Sequence, residues 1–85
     1  MAWYVYMLRC ADNSLYTGIA TDIERRFREH ESQGPRCAKY LRGKAPFTLV
    51  YTETHSDRIT ASKREYAIKQ LPKAQKETLI ASNQH

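Results

Sequence analysis

Two short stretches near the N-terminus constrain the fold most: WYVYMLR, Trp3–Arg9, and LYTGIA, Leu15–Ala20. The first is aromatic and aliphatic, with no glycine or proline, and reads as a β-strand. The second reads the same way. Between them lies CADNS, whose Asp12, Asn13 and Ser14 favour turns. A break so short makes the pair an antiparallel hairpin.

The rest of the chain follows from that hairpin. Thr21 or Asp22 is a good N-cap for a helix reaching about Ser32. SQGPRCAKYLRGKAP is irregular and basic, with one short helical turn expected around Cys37–Leu41. PFTLVYTE, Pro46–Glu53, is a third strand. Ser56 or Asp57 caps a second helix from about Arg58 to Leu71. Pro72 suits the first turn of a third helix ending near Ala81. The order is ββαβαα. Three strands cannot close a barrel, so the expected fold is α+β: a small three-stranded antiparallel sheet flanked by helices. One domain spans residues 1–82, with 83–85 a frayed tail.

Composition narrows the function classes. The 85 residues are 41% hydrophobic and 27% charged, which fits a folded domain. No run is apolar enough to cross a membrane. The N-terminal stretch lacks a preceding charged segment and alternates like a strand, so it is not read as a secretion signal. Cys10 and Cys37 form no paired motif and are expected as reduced thiols in a cytoplasmic protein. His30, His55 and His85 are too scattered to suggest zinc.

The net charge is +5, unevenly spread. Seven basic residues fall between Glu24 and Lys44, against three acids. A second basic run extends from Arg58 to Lys76 with Glu65 as its acid. This asymmetry points to a polyanion, most simply nucleic acid; a solvated basic surface is the alternative.

Helical periodicity singles out a few charges. At about 100° per residue, Ile23 and Phe27 mark the apolar side of the first helix. Arg26 and His30 fall on its flank, one turn apart. Arg25, Arg28 and Glu29 point away. On the second helix Ala61, Ile68 and Leu71 form the stripe and Glu65 flanks it, with Lys63 and Lys69 directed elsewhere. Glu65 is either a salt-bridge partner for Arg26 or a ligand for a hard cation such as Mg²⁺. In the hairpin, Tyr6 and Tyr16 share a sheet face if opposed residue numbers sum to an even number. Gly18 then leaves room beside them. The two tyrosines could equally be plain core aromatics.

VYM at Val5–Met7, YTG at Tyr16–Gly18, Arg26, His30 and Glu65 together resemble the motifs of the GIY-YIG nuclease superfamily. Ten residues separate Tyr6 from Tyr16 and Tyr16 from Arg26, and His30 follows by four. Within the superfamily, AKYLRGKAPFTLVYTE and REYAIKQLPKAQKETLI are similar to the small stand-alone bacterial members. The resemblance implies a divalent-metal-dependent nuclease that hydrolyses phosphodiesters in DNA, with roles in repair, recombination or processing. It implies Tyr6, Tyr16, Arg26, His30 and Glu65 as catalytic residues, with Glu65 holding one Mg²⁺ or Mn²⁺. Arg26 would neutralise the transition state. Tyr6 is the candidate general base, with His30 as its proton acceptor or as the group that orients the water, and Tyr16 would position the water or a phosphate; which of the three takes the proton is left open.

Departures from the pattern are Tyr4-Val5-Tyr6 in place of Gly-Ile-Tyr and Thr17 where isoleucine is usual. A lysine that some excision-repair relatives carry is Ile19 here. The late asparagine of many members has only Asn83 as a candidate, and its role is not carried over. Family members often gain specificity from an attached DNA-binding domain; without one, shape recognition, low specificity or targeting by a protein partner is expected. Arg36, Lys39, Tyr40, Arg42 and Lys44 are the expected nucleic-acid contacts, with Tyr40 as a stacking platform or packed inward. A binding module without turnover is the main alternative to a nuclease, and a small interaction protein with a structural Arg26–Glu65 pair is a third.

Overall fold

The computed structural model describes residues 1–83. Its strands are β1, Trp3–Arg9; β2, Leu15–Ala20; and β3, Thr48–His55. Its helices are α1, Ile23–Glu31; α2, Arg58–Lys69; and α3, Lys73–Ser82. The order is ββαβαα, as the sequence implied. The sheet runs β2-β1-β3 with both pairings antiparallel, so the hairpin strand β1 is central and β2 is an edge.

The hairpin strands begin and end where their composition placed them. The third strand begins and ends two residues later than Pro46–Glu53. Phe47 turns into the core instead of joining the ladder, and pairing continues until His55 opposes Trp3. Asp22 caps α1 by accepting the Arg25 N–H at 3.0 Å, and Asp57 caps α2 from the Thr60 N–H at 2.8 Å. Each cap contributes about 1 kcal/mol. Pro72 sits just before α3 rather than in its first turn, where its carbonyl accepts from Gln75 and Lys76. Of the expected tail, Asn83 is held as the C-cap of α3; Gln84 and His85 lie outside the described residues.

Alternation divides the core in two. On one face Tyr6, Leu8 and Ala20 meet Ile23 and Phe27 of α1 and Cys37, Leu41 and Phe47 of the basic connection. On the other, Val5, Met7 and Tyr51 meet Ala61 and Ile68 of α2 and Ile80 of α3. Val5, Met7, Leu8, Leu41, Ala61 and Ile68 are wholly buried. Each of the larger ones contributes roughly 1.5–3 kcal/mol through burial, which carries most of the stability of so small a domain. Cys10 and Cys37 are buried and unbridged.

Two polar ties bind the helical layer to the sheet. Arg9 of β1 grips Glu77 of α3 with two nitrogens, at 2.6 and 2.8 Å. On β3, Glu53 accepts from the Tyr51 hydroxyl, from His55 Nε2 at 2.7 Å and from Arg64 Nε of α2 at 2.9 Å. Burial pushes the Glu53 carboxyl up, but these three donors outweigh it and hold it below the usual carboxylate range.

Candidate active site at the edge of β2

Tyr6 lies opposite Gly18, and Leu8 opposite Tyr16. Tyr6 and Tyr16 therefore share the α1 face, as the alternation required. The Tyr6 side chain leans across β2 over Gly18. A Cβ at position 18 would sit 2.6 Å from the Tyr6 hydroxyl oxygen and 3.1 Å from the Tyr16 ring. Glycine is there because two tyrosines occupy the space a side chain would need.

The Tyr6 hydroxyl meets His30 Nε2 at 2.9 Å, and His30 is completely buried. The other ring nitrogen, Nδ1, accepts the Ala38 N–H at 3.4 Å. Nδ1 therefore carries the lone pair, and the proton of the neutral ring is assigned to Nε2, which donates to Tyr6. Burial and then the charge of Arg26 pull His30 down to about 4, so it is neutral at pH 7. Burial, then Tyr16, push the Tyr6 hydroxyl well above its ordinary value; Glu65 adds to this, and Arg26 opposes it. The sequence grouped His30 with the catalytic residues. The structure buries it against the Tyr6 hydroxyl, where it fixes that group's orientation.

Arg26 and Glu65 do not form a salt bridge. The Arg26 Nη1 donates to Glu29 at 3.0 Å and to the Arg36 carbonyl at 2.6 Å. Glu65 pairs with Lys69 at 3.3 Å. The reason is topological: α1 and α2 cover opposite faces of the sheet, so each charge finds its nearest partner on its own helix. Two directions read from periodicity are corrected as well. Glu29 does not point away but gathers Arg25, Arg26 and Arg36, and Arg26 holds its carboxyl below the usual range. Lys69, four residues beyond Glu65, shares its side of α2. Glu65 still stands on the side of the site: α2 packs along β2, and Lys69, its ion-pair partner, lies 6.0 Å from the centre of the Tyr16 ring.

The basic connection divides into fixed and free residues. Arg42 donates to the carbonyls of Gln33 and Gly34, at 3.3 and 2.9 Å, and so pins the loop. Tyr40 stacks on Tyr16 with centroids 6.0 Å apart, and Lys44 Nζ sits 3.7 Å from the Tyr40 ring centre and 3.7 Å from Asp12. The stacking expected of Tyr40 is thus made within the chain, although the ring stays half exposed. Lys39 is exposed and Arg36 three-quarters exposed. Sequence reasoning missed Gln33. Its side chain bonds the His30 and Leu41 carbonyls and the Gly43 N–H, which fixes the loop that presents Ala38 to His30. Nothing in residue type or spacing marked it.

Asn83 contacts the Thr52 carbonyl on β3, at 3.5 Å. That strand forms the sheet edge opposite β2. Among the described residues no three His, Cys, Asp or Glu side chains gather as a metal cluster. A cation here would rest on Glu65 alone among carboxylates. That donor set fits Mg²⁺ or Mn²⁺, hard ions that keep several waters and take one or two carboxylates plus substrate phosphate. Among the described residues no helix is long and apolar enough to cross a membrane.

An α+β sheet whose edge gathers Tyr6, Tyr16, Arg26, His30 and Glu65 defines a class. Residues 2–78 match the GIY-YIG catalytic domain, and the chain belongs to that family. Within it, the chain is 53% identical to the UPF0213 protein DP2720 of Desulfotalea psychrophila, over 98% of this chain and 74% of that one. It is 52% identical to the UPF0213 protein YhbQ of Escherichia coli, over 93% and 77%. The solution structure of the UPF0213 protein BH0048 from Bacillus halodurans superposes with a TM-score of 0.61 at 43% identity, over 95% of this chain and 84% of that one. That of EF2693 from E. faecalis gives 0.66 at 38%, over 96% and 85%.

Proposed function

We propose that this protein is a divalent-metal-dependent nuclease that hydrolyses phosphodiester bonds in DNA at the edge of β2. The observation that carries this reading is the Tyr6 hydroxyl. It is held by a donor, His30 Nε2; burial and then Tyr16 push its pKa well above the ordinary value, and Arg26 acts against that rise. Where added positive charge offsets that burial, Tyr6 would lose its proton to solvent, and the phenolate, accepting from His30 and facing Arg26, would take the proton of the attacking water. The water oxygen bonds to phosphorus as the bond to the 3′-oxygen breaks. Arg26 neutralises charge on the phosphate oxygens, a task its planar fork suits. Tyr16, stacked between the site and Tyr40, positions the phosphate. Glu65 would hold Mg²⁺ or Mn²⁺, which when bound supplies Lewis-acid charge to the phosphate. To do so it exchanges its contact with Lys69.

That contact favours a second reading, a nucleic-acid-binding domain with little turnover, because Lys69 already neutralises Glu65. A cleavage assay separates the two. Labelled single-stranded, duplex and branched DNA, and RNA, are incubated with the protein in Mg²⁺, Mn²⁺ or EDTA, beside Arg26→Ala. The nuclease reading expects metal-dependent cutting that Arg26→Ala abolishes. Salt-sensitive binding without cutting selects the binding module. Cutting unaffected by Arg26→Ala or by EDTA contradicts the proposed site.

A further inference from the structure

A groove of about 280 Å³ lies beside the catalytic tyrosines, lined by Leu15, Tyr16, Thr17, Tyr40, Lys69 and Lys76. It is bounded by the β2 edge, the end of α2 and the second turn of α3. Two observations there have no explanation in the fold, and a third ties the groove to the site. Lys76 is half buried yet meets no carboxylate among the described residues. Thr17 is 2% exposed, and its hydroxyl is the one buried side-chain polar atom among the described residues without a hydrogen-bond partner. Such an atom calls for a ligand or water. Lys69 stands 6.0 Å from the centre of the Tyr16 ring, so the groove and the candidate active site share a wall.

We infer that this groove binds one unpaired nucleotide of the substrate strand, next to the bond that is cut. The inference rests on the nuclease reading and names the substrate class: a single strand, overhang or flap rather than a continuous duplex. Lys69 and Lys76 receive the phosphate. The half-exposed edge of Tyr40 and the Tyr16 ring flank the sugar or base, and Thr17 offers its hydroxyl from the floor. Size supports one nucleotide, because the volume is at the low end of small-molecule sites and has no room for a base pair. A strand drawn past Lys69 also pulls that ammonium toward phosphate and away from Glu65.

The test is binding in EDTA, where nothing is cut. Anisotropy of a fluorescein-labelled decanucleotide, single-stranded or fully paired, is followed against salt. The proteins are the wild type, Lys76→Gln, and Lys63→Gln as a control elsewhere on α2. The wild type is expected to prefer the single strand. Lys76→Gln should lower the slope of log K against log salt by about 0.7, one single-strand phosphate contact, and shrink that preference. Lys63→Gln should change neither. In amide spectra the single strand should shift Thr17. Equal binding of both forms, or a Lys76→Gln slope equal to the wild type's with Thr17 unshifted, overturns the groove assignment alone. Failure of the wild type to bind either form overturns the nucleic-acid reading with it.

Discussion

Tyr51, Glu53, His55 and Arg64 on one side of the molecule match Tyr6, Glu65, His30 and Arg26 on the other in residue type, though not in arrangement. In the first set three donors converge on the carboxylate of Glu53, and no charge is left over. In the second the carboxylate stands apart. His30 addresses Tyr6, Arg26 addresses Glu29, and Glu65 has only Lys69 on its own helix. The first set is a lock between β3 and α2. The second has no such convergence, because its members come from both faces of the sheet and meet only around the β2 edge. Residue type does not make a site; leaving the carboxylate and phenol unpaired with each other does.

The two tyrosines should break the symmetry most widely. Tyr6→Phe is expected to slow cleavage by roughly 10²–10⁴-fold, the range of a lost acid–base group. Tyr51→Phe should leave the rate unchanged and cost about 1 kcal/mol in urea unfolding. Equal rates for the two variants would remove Tyr6 from the chemistry.

Gly18→Ala probes the site through packing. The added methyl displaces Tyr6 and should cost about 1–3 kcal/mol, seen as an earlier thermal transition. The His30 ring signal should shift with it. A variant as stable as the wild type with that signal unmoved would show that Tyr6 does not need the clearance.

The pH dependence of stability should report the buried His30 of the open cluster. His30 is held near 4 when folded, below its ordinary value of 6.5, so between these the unfolded chain binds more protons. Its contribution to stability is complete above about pH 6.5 and is lost as pH falls toward 4. His30→Gln should flatten melting temperature against pH in that window. The smallest effect belongs to Arg42. Arg42→Ala should cost about 1 kcal/mol through its two carbonyl bonds and leave the salt slope of DNA binding unchanged, while Lys39→Ala does the reverse.

How much of this was legible varies with its cause. The hairpin, the helix caps and the shared face of Tyr6 and Tyr16 were readable because each follows from local chemistry or a period of two. The clearance at Gly18 followed from that alternation. The pairing of Arg26 was not readable. A helical wheel gives a direction about an axis but not which face of the sheet the helix covers, so it leaves Glu65 open as partner or cation ligand and turns Glu29 away. The burial of His30 and its bond to Ala38 depend on how the basic connection folds back, and the Gln33 side chain fixes that path. The groove could not be foreseen, since Leu15, Thr17 and Lys76 meet only through tertiary packing.

The comparison comes down to two glutamates. Glu65→Gln and Glu53→Gln should be assayed together for cleavage in Mg²⁺ and for thermal unfolding. The account predicts that Glu65→Gln loses on the order of 10²-fold or more in rate while melting no earlier than the wild type. Glu53→Gln should cut normally and melt earlier. The reverse pattern, with the rate surviving at Glu65→Gln and failing at Glu53→Gln, would contradict it and place the active carboxylate on β3.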